Sequence, residues 1–315
     1  MTHKKVIIRN DQGADVEAVA PVIVSASRST DIPAFYAQWF FNRLDKGHVS
    51  WRNPFNGKYS YVSFDQTRFI VFWSKNPKTL IPYLSILKSK GIGFYIQFTL
   101  NDYDAESLEP GVPALAERID TFHQIVDQFG LGSIVWRFDP LILTEDISSS
   151  ALLDKIGGIA DQLRGYTDKL VFSFADIGSY RSVERNLRTI GINYHEWTSE
   201  SMIDFARRLC DIHLPVRLAT CAESIDLQQF GIAHNGCVDP ELIAQRSPND
   251  AILQQFLQQV TGDSGQRKHC GCILSKDIGA YNTCPHLCRY CYANYSPQTV
   301  LHNHHSHSST SESLI

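Results

Sequence analysis

From Val22 onward, short β-branched and aromatic runs alternate with stretches whose apolar residues recur every three to four positions. The runs predict strands at Val22–Ser27, Val49–Arg52, Phe69–Trp73, Phe94–Thr99, Ile134–Phe138, Leu170–Phe174 and Val216–Ala219. Most are apolar nearly throughout, as in parallel strands buried on both faces. The intervening stretches predict helices. Pro33 fits a first helical turn after Thr30-Asp31; Phe35, Trp39, Phe40 and Leu44 then share a face that ends at Gly47. Leu80, Leu84 and Leu87 repeat this before Gly91, as do Leu115, Ile119, Phe122, Val126 and Phe129 before Gly130. Further helices are expected at about 149–165, 198–213 and 248–261.

Seven strand–helix units in one direction predict an α/β fold of the (β/α) TIM-like barrel kind, whole, partial or permuted. An open doubly wound sheet is the alternative, and Tyr59–Phe64 can add a hairpin after the second strand. Residues 1–20 read as a loose arm or edge element closed by Pro21, and 21–225 as the barrel core. Residues 226–297 read as a Cys-rich segment completing the barrel. Residues 298–315, with His302, His304, His305 and His307 among serines, read as a disordered tail able to bind stray metal.

Composition narrows the function. At 315 residues, 43% hydrophobic and 20% charged, the chain can bury a large core. A net charge of −4 gives no global polybasic signal for nucleic acid or anionic membrane, which disfavours nucleic acid as a partner without excluding it. No run of eighteen apolar residues and no apolar secretion signal is present, which leads to the expectation of a cytoplasmic protein without a membrane partner. Thiols stay reduced there, so clustered cysteines point to metal or catalysis rather than to disulfides.

Five of the eight cysteines fall within 22 residues. Cys284, Cys288 and Cys291 have C-x3-C-x2-C spacing, with Tyr290 before the last. Three thiolates so placed can hold three irons of a [4Fe–4S] cluster and leave the fourth open, the site at which S-adenosylmethionine (SAM) is chelated in radical SAM enzymes. Tyr290 joins them as a cofactor-binding candidate. Cys221, Cys237, Cys270 and Cys272 are the complement of a second, fully ligated [4Fe–4S] cluster, with Gly236 and Gly271 letting backbone approach it. Structural zinc is the competing reading, with Cys288-x2-Cys291 as one pair. Cys210 sits within an amphipathic helix and reads as a core thiol.

Nearly every expected strand runs into polar residues at its C-terminal end, where a barrel builds its active site. Arg28, Arg52, Lys75 and Arg137 would bring cations suited to an anionic substrate or to SAM. Asp31, Asp139 and Glu223 complete the candidate catalytic set, with Asp139 and Glu223 placed to accept protons or to hold the amino or ribose groups of SAM. Trp51, Phe55, Trp73, Phe98, Trp136 and Phe138, near the same ends, would keep the mouth dry or simply pack the fold.

Ser25-Ala26-Ser27-Arg28-Ser29-Thr30-Asp31-Ile32-Pro33, Arg52-Asn53-Pro54-Phe55, Val71-Phe72-Trp73-Ser74-Lys75-Asn76-Pro77, Trp136-Arg137-Phe138-Asp139-Pro140 and the run from Cys284 to Asn294 resemble the bacterial family DUF1848. The family's C-terminal cysteines are described as similar to the cluster loop of radical SAM proteins, and the loop resembles that of spore photoproduct lyase. The resemblance implies a radical SAM-type enzyme with its SAM-binding cluster on Cys284, Cys288 and Cys291. Its motif is displaced, because most radical SAM enzymes carry it after the first barrel strand, and their glycine-rich SAM-binding segment is not recognisable here. A small anionic or nucleotide-like substrate and an electron donor such as ferredoxin or flavodoxin are the expected partners. A non-SAM iron–sulfur protein and a TIM-barrel hydrolase or lyase holding structural zinc are the alternatives.

Overall fold

The computed structural model describes residues 2–54, 56–263 and 265–315, so Phe55, expected at the mouth, lies outside the described residues. At its centre is an eight-stranded sheet. From edge to edge it runs Ala233–Asn235, Arg217–Cys221, Lys169–Phe174, Ile134–Leu141, Gly93–Thr99, Phe69–Ser74, Ile23–Ala26 and Lys276–Asp277. Every ladder in it is parallel. Strands succeed one another in chain order, except that the last sits beside the first.

Parallel neighbours need crossovers, which the helices Ala37–Lys46, Leu84–Ser89, Leu115–Phe129, Ser149–Gln162 and Ser199–Asp211 supply. Alternate residues of each strand face opposite ways. Ile23, Phe69, Val71, Tyr95, Val135 and Val171 form an inner core with Val238 and Ile273. Val24, Ile70, Phe72, Ile96, Trp136 and Phe172 pack under the outer helices. Burial on both faces is why these strands read as unbroken apolar runs.

The sheet curls until Tyr95 and Gln97 donate to the Cys237 carbonyl at 2.6 and 2.8 Å, just beyond the far edge strand. Among the described residues no ladder joins the two edge strands. The segments next to them meet through the Ile273 N–H on the Val238 carbonyl at 3.2 Å. The sheet is therefore open and curled rather than a barrel closed by a ladder.

Three expectations are corrected. His48–Arg52 does not join the parallel sheet; it turns at Asn53-Pro54 and pairs antiparallel with Tyr59–Ser63. That hairpin belongs to a separate four-stranded sheet, in which Asp15–Ala20 pairs with Tyr59–Ser63 on one side and with Lys4–Arg9 on the other. Residues 4–20 are thus a β-ribbon at the edge of that sheet, the edge element of the two readings rather than the loose arm. The tail is not disordered either: Ser296 caps a helix over Pro297–Ser306, with proline in its first turn. His304 and His307 pack edge-on against Tyr36, while Trp39 and Asn42 donate to the Ser311 and Ser309 carbonyls. Among the described residues no helix is long and apolar enough to cross a membrane.

Candidate metal centre

The Cys284–Cys291 loop consists of two successive turns, closed by Leu287 N–H on the Cys284 carbonyl and Cys291 N–H on the Cys288 carbonyl at 3.4 and 3.1 Å. Leu287 takes a left-handed conformation, φ 53°, and the Asn294 amide braces the Cys284 carbonyl at 2.9 Å. His286 turns inward and is buried, bonding through Nδ1 to the Gly111 carbonyl at 2.8 Å and through Nε2 to Asp31 at 2.9 Å. The Gly111 N–H returns a bond to the His286 carbonyl at 2.9 Å. A Cβ on Gly111 would stand 2.6 Å from the Pro285 carbonyl, so only glycine permits this approach.

Asp31 fixes the loop to the sheet. Besides His286, its carboxylate accepts from the Ser74 hydroxyl at 2.8 Å, the Lys75 N–H at 2.7 Å and the Ala34 N–H at 2.9 Å. With so many donors on it, Asp31 acts as a positioning group.

Lys75 points to the other end of the loop. Its ammonium donates to Glu109 at 2.7 Å and to the Tyr290 hydroxyl at 2.8 Å. Glu109, fully buried, also accepts from Tyr290 and from Asn101, and faces the buried Arg118 at 3.8 Å. Burial alone would raise the Glu109 pKa, but Lys75 and Arg118 outweigh it and hold it low. Burial likewise opposes the Lys75 charge, and Glu109 more than restores it. Burial pushes the Cys284, Cys288 and Cys291 thiols up, with Asp31 adding to the effect at Cys284 and Lys75 opposing it at Cys288.

The second set of cysteines is gathered from both edges of the sheet. Cys221 ends its strand and Cys237 follows the next, their sulfurs 3.2 Å apart. Cys272 accepts from the Val238 N–H at 3.3 Å and lies within hydrogen-bonding reach of Cys237 and Cys270. The two loops touch through glycines: a Cβ on Gly236 would lie 2.5 Å from the Gly271 carbonyl, and one on Gly271 would lie 3.1 Å from that of Asn235. These glycines bring one thiol-bearing loop against the other.

Cations face these thiols. Arg137 donates to Cys237 at 2.9 Å and to Asp139, and Asp139 also accepts from Ser173. Burial opposes the Arg137 charge, but Cys237 and Asp139 overcome it and raise its pKa. Arg28 stacks 4.9 Å over Trp73, bonds Ser275 at 3.2 Å and faces Cys272. The hydrogen bond with Cys272 brings the Cys270 thiol down to about 7.

All seven of these cysteines line one cavity of about 360 Å³, together with Arg28, Asp31, Lys75, Arg137, Asp139 and Tyr290. Cys210 lies apart, donating to the Phe230 carbonyl from its helix. Two expected residues are not in the lining. Arg52 is exposed on the smaller sheet. Glu223 accepts the Phe174 N–H at 2.9 Å just outside, its carboxyl raised by burial to about 7. Of the expected aromatics, Trp73 lines the cavity, Trp51 donates to the Gly279 carbonyl at 3.0 Å, and Phe98, Trp136 and Phe138 are core. The sequence reading missed Glu109, Asn101, Arg118 and Asp277. The last accepts from the Arg28 N–H at 2.8 Å and from Ser25 at 2.7 Å. It also left His286, inside the motif, without a role.

Fold and site together define an α/β protein whose curled parallel sheet collects seven thiols at one mouth. The chain belongs to the family described as "Domain of unknown function (DUF1848)", whose model matches residues 23–293, from the first strand of the parallel sheet to just beyond Cys291. No curated protein and no solved structure matches it.

Proposed function

We propose that this chain is a radical SAM-type enzyme carrying two [4Fe–4S] clusters, one on Cys284, Cys288 and Cys291 and an auxiliary one on Cys221, Cys237, Cys270 and Cys272. The observation that carries the reading is the convergence of seven cysteines, from four separate segments between Cys221 and Cys291, on a single cavity.

The donor set fits such clusters. Ligation requires thiolates, and Lys75, Arg28 and Arg137 set positive charge beside Cys288, Cys272 and Cys237. Zinc is the competing occupant. Zn–S bonds of about 2.3 Å put thiolates about 3.8 Å apart in a tetrahedron, and the Cys221 and Cys237 sulfurs, 3.2 Å apart, are near that spacing. Among the described residues no three thiols have all their sulfurs within 4.8 Å of one another; the triad that does is Asp11, His48 and Glu312. Arg43 donates into that triad, to Asp11 at 2.7 Å and with His48 at 3.0 Å, which makes it an ion-pair cluster. We read the curled sheet as a partial (β/α) barrel whose eighth strand has come round beside its first.

When bound, the open cluster and SAM would supply one-electron reductive cleavage and hydrogen-atom abstraction. The chain's own part is positioning and exclusion of water. Asp31 and His286 fix the loop, Tyr290 is tied to Glu109 and Lys75, and Phe174, Ile177 and Val183 give the cavity apolar surface.

The test is anaerobic purification followed by addition of SAM to the reduced protein. Iron and sulfide in equal amounts, an EPR signal altered by SAM and release of 5′-deoxyadenosine are expected. A signal indifferent to SAM would reassign the chain to non-SAM iron–sulfur chemistry; zinc without sulfide would end the cluster reading. Gly236→Ala should force the second pair of loops apart and lower iron from about eight to about four per chain, with the SAM-responsive signal kept. Elemental analysis and EPR on that one variant check both halves of the prediction.

A further inference from the structure

We propose that Arg267, braced by Tyr180, anchors the phosphate or carboxylate group of the substrate at the mouth of the cavity. The inference rests on the proposed function only in taking this cavity as the place where substrate sits.

The four cations lining the cavity are not equivalent. Lys75 is 2.7 Å from Glu109, Arg137 is paired with Asp139, and Arg28 lies 4.0 Å from Asp277. The last two also face thiols of the auxiliary set. Their charge is thus already matched, and they are poor choices for an incoming anion. Arg267 forms no ion pair with a carboxylate among the described residues, although Cys221 and Glu223 both lie near enough to feel its charge. Its guanidinium donates to the Tyr180 hydroxyl at 2.7 Å and lies 5.9 Å from that ring's centre, and among the described residues no other hydrogen bond occupies its donor fork.

The brace makes this more than a mobile surface arginine. Tyr180 itself lines the cavity and packs 5.5 Å from Tyr292, which follows Cys291. The Arg267 carbonyl accepts the Cys270 N–H at 2.9 Å, so the guanidinium is set by the same turn that carries a thiol. The Tyr180 hydroxyl accepts from Arg267, which leaves its O–H free to donate to a ligand. An oxyanion there would meet a fork of N–H donors and one O–H, with an aromatic wall beside it. Arginine suits carboxylate and phosphate because its paired N–H groups match two oxygens at once.

Isothermal titration of the anaerobic, metal-loaded full chain with inorganic phosphate and, separately, with acetate tests the proposal and tells the two groups apart. Binding of one of them is expected, weakened about tenfold by Arg267→Gln. Arg267→Lys should recover part of the loss, because charge returns without the fork, and Tyr180→Phe should fall between wild type and Arg267→Gln. Arg188→Gln, on an exposed pair with Glu184, should bind as wild type does. The proposal is overturned if neither anion binds wild type, or if Arg267→Gln binds equally well. An Arg267→Gln variant that keeps anion binding but shifts the auxiliary cluster's reduction potential would make Arg267 a charge partner of Cys221 instead. No SAM enters the titration, so Arg267-dependent binding in a protein that ignores SAM keeps this inference and removes the radical SAM reading.

Discussion

Replacing Cys284, Cys288 and Cys291 together by alanine should halve the iron of the anaerobic protein, from about eight atoms per chain to about four, and abolish formation of 5′-deoxyadenosine. The half-loss follows from how separately the two sets are held. The three-thiol loop hangs on Asp31, His286 and Gly111, none of which hydrogen-bonds to the other set among the described residues. The four-thiol set is fixed by Gly236 against Gly271, by Arg137, and by Tyr95 and Gln97 on the Cys237 carbonyl. Alanines in the first loop leave every one of those contacts in place. Iron and sulfide analysis with EPR of the remaining cluster decides the matter. Loss of all iron would show one interdependent seven-thiol site.

Glu109→Ala is the second large effect. It strips the counter-charge from Lys75, leaves the fully buried Arg118 with Asp104 at 3.4 Å as its one carboxylate among the described residues, and removes an acceptor used by Tyr290 and Asn101. Removing one partner of a buried ion pair costs about 3–5 kcal/mol, since the other charge is left stranded in a poor solvent. A fall in the thermal midpoint of order 10 °C is expected. Glu109→Gln keeps the volume and an acceptor for Tyr290, so it should recover a small part. Adding Arg118→Met to it should recover more, because a buried guanidinium left with only the part-exposed Asp104 goes as well. Thermal melts of the three variants at one pH give the comparison. Equal stability of Glu109→Ala and wild type would mean that Lys75 and Arg118 find water instead.

The sequence made the sheet's middle strands legible because both faces are buried there, as at Phe69–Ser74 and Gly93–Thr99. Its two edges were not. Ala233–Asn235 and Lys276–Asp277 are three and two residues long and partly polar, too short to carry a period. Val49–Arg52 looked like its neighbours, since a half-buried strand of a small sheet and a central strand share the same residue types. Spacing and loop position alone singled out the seven cysteines that line the cavity. Glu109 could not be found that way, because nothing in Leu108-Glu109-Pro110-Gly111 shows that its carboxylate meets two cations 34 residues upstream and nine downstream. Arg52 and Glu223 were placed by the rule that strand ends converge; one belonged to another sheet, and the other turned to cap a backbone N–H.

The two edges of the parallel sheet have one further consequence. Cys221 and Cys237 belong to one edge, and Cys270 and Cys272 lead into the other. Whatever these four thiols hold therefore cross-links the ends of the sheet, where backbone bonding is sparsest. With the proposed auxiliary cluster there, metal delivery would become a maturation checkpoint, because binding free energy would add to folding free energy at that junction. A chain waiting for iron would then hold that junction by fewer bonds and offer it to proteases, so the cell's iron supply would set the protein's lifetime before it sets its activity.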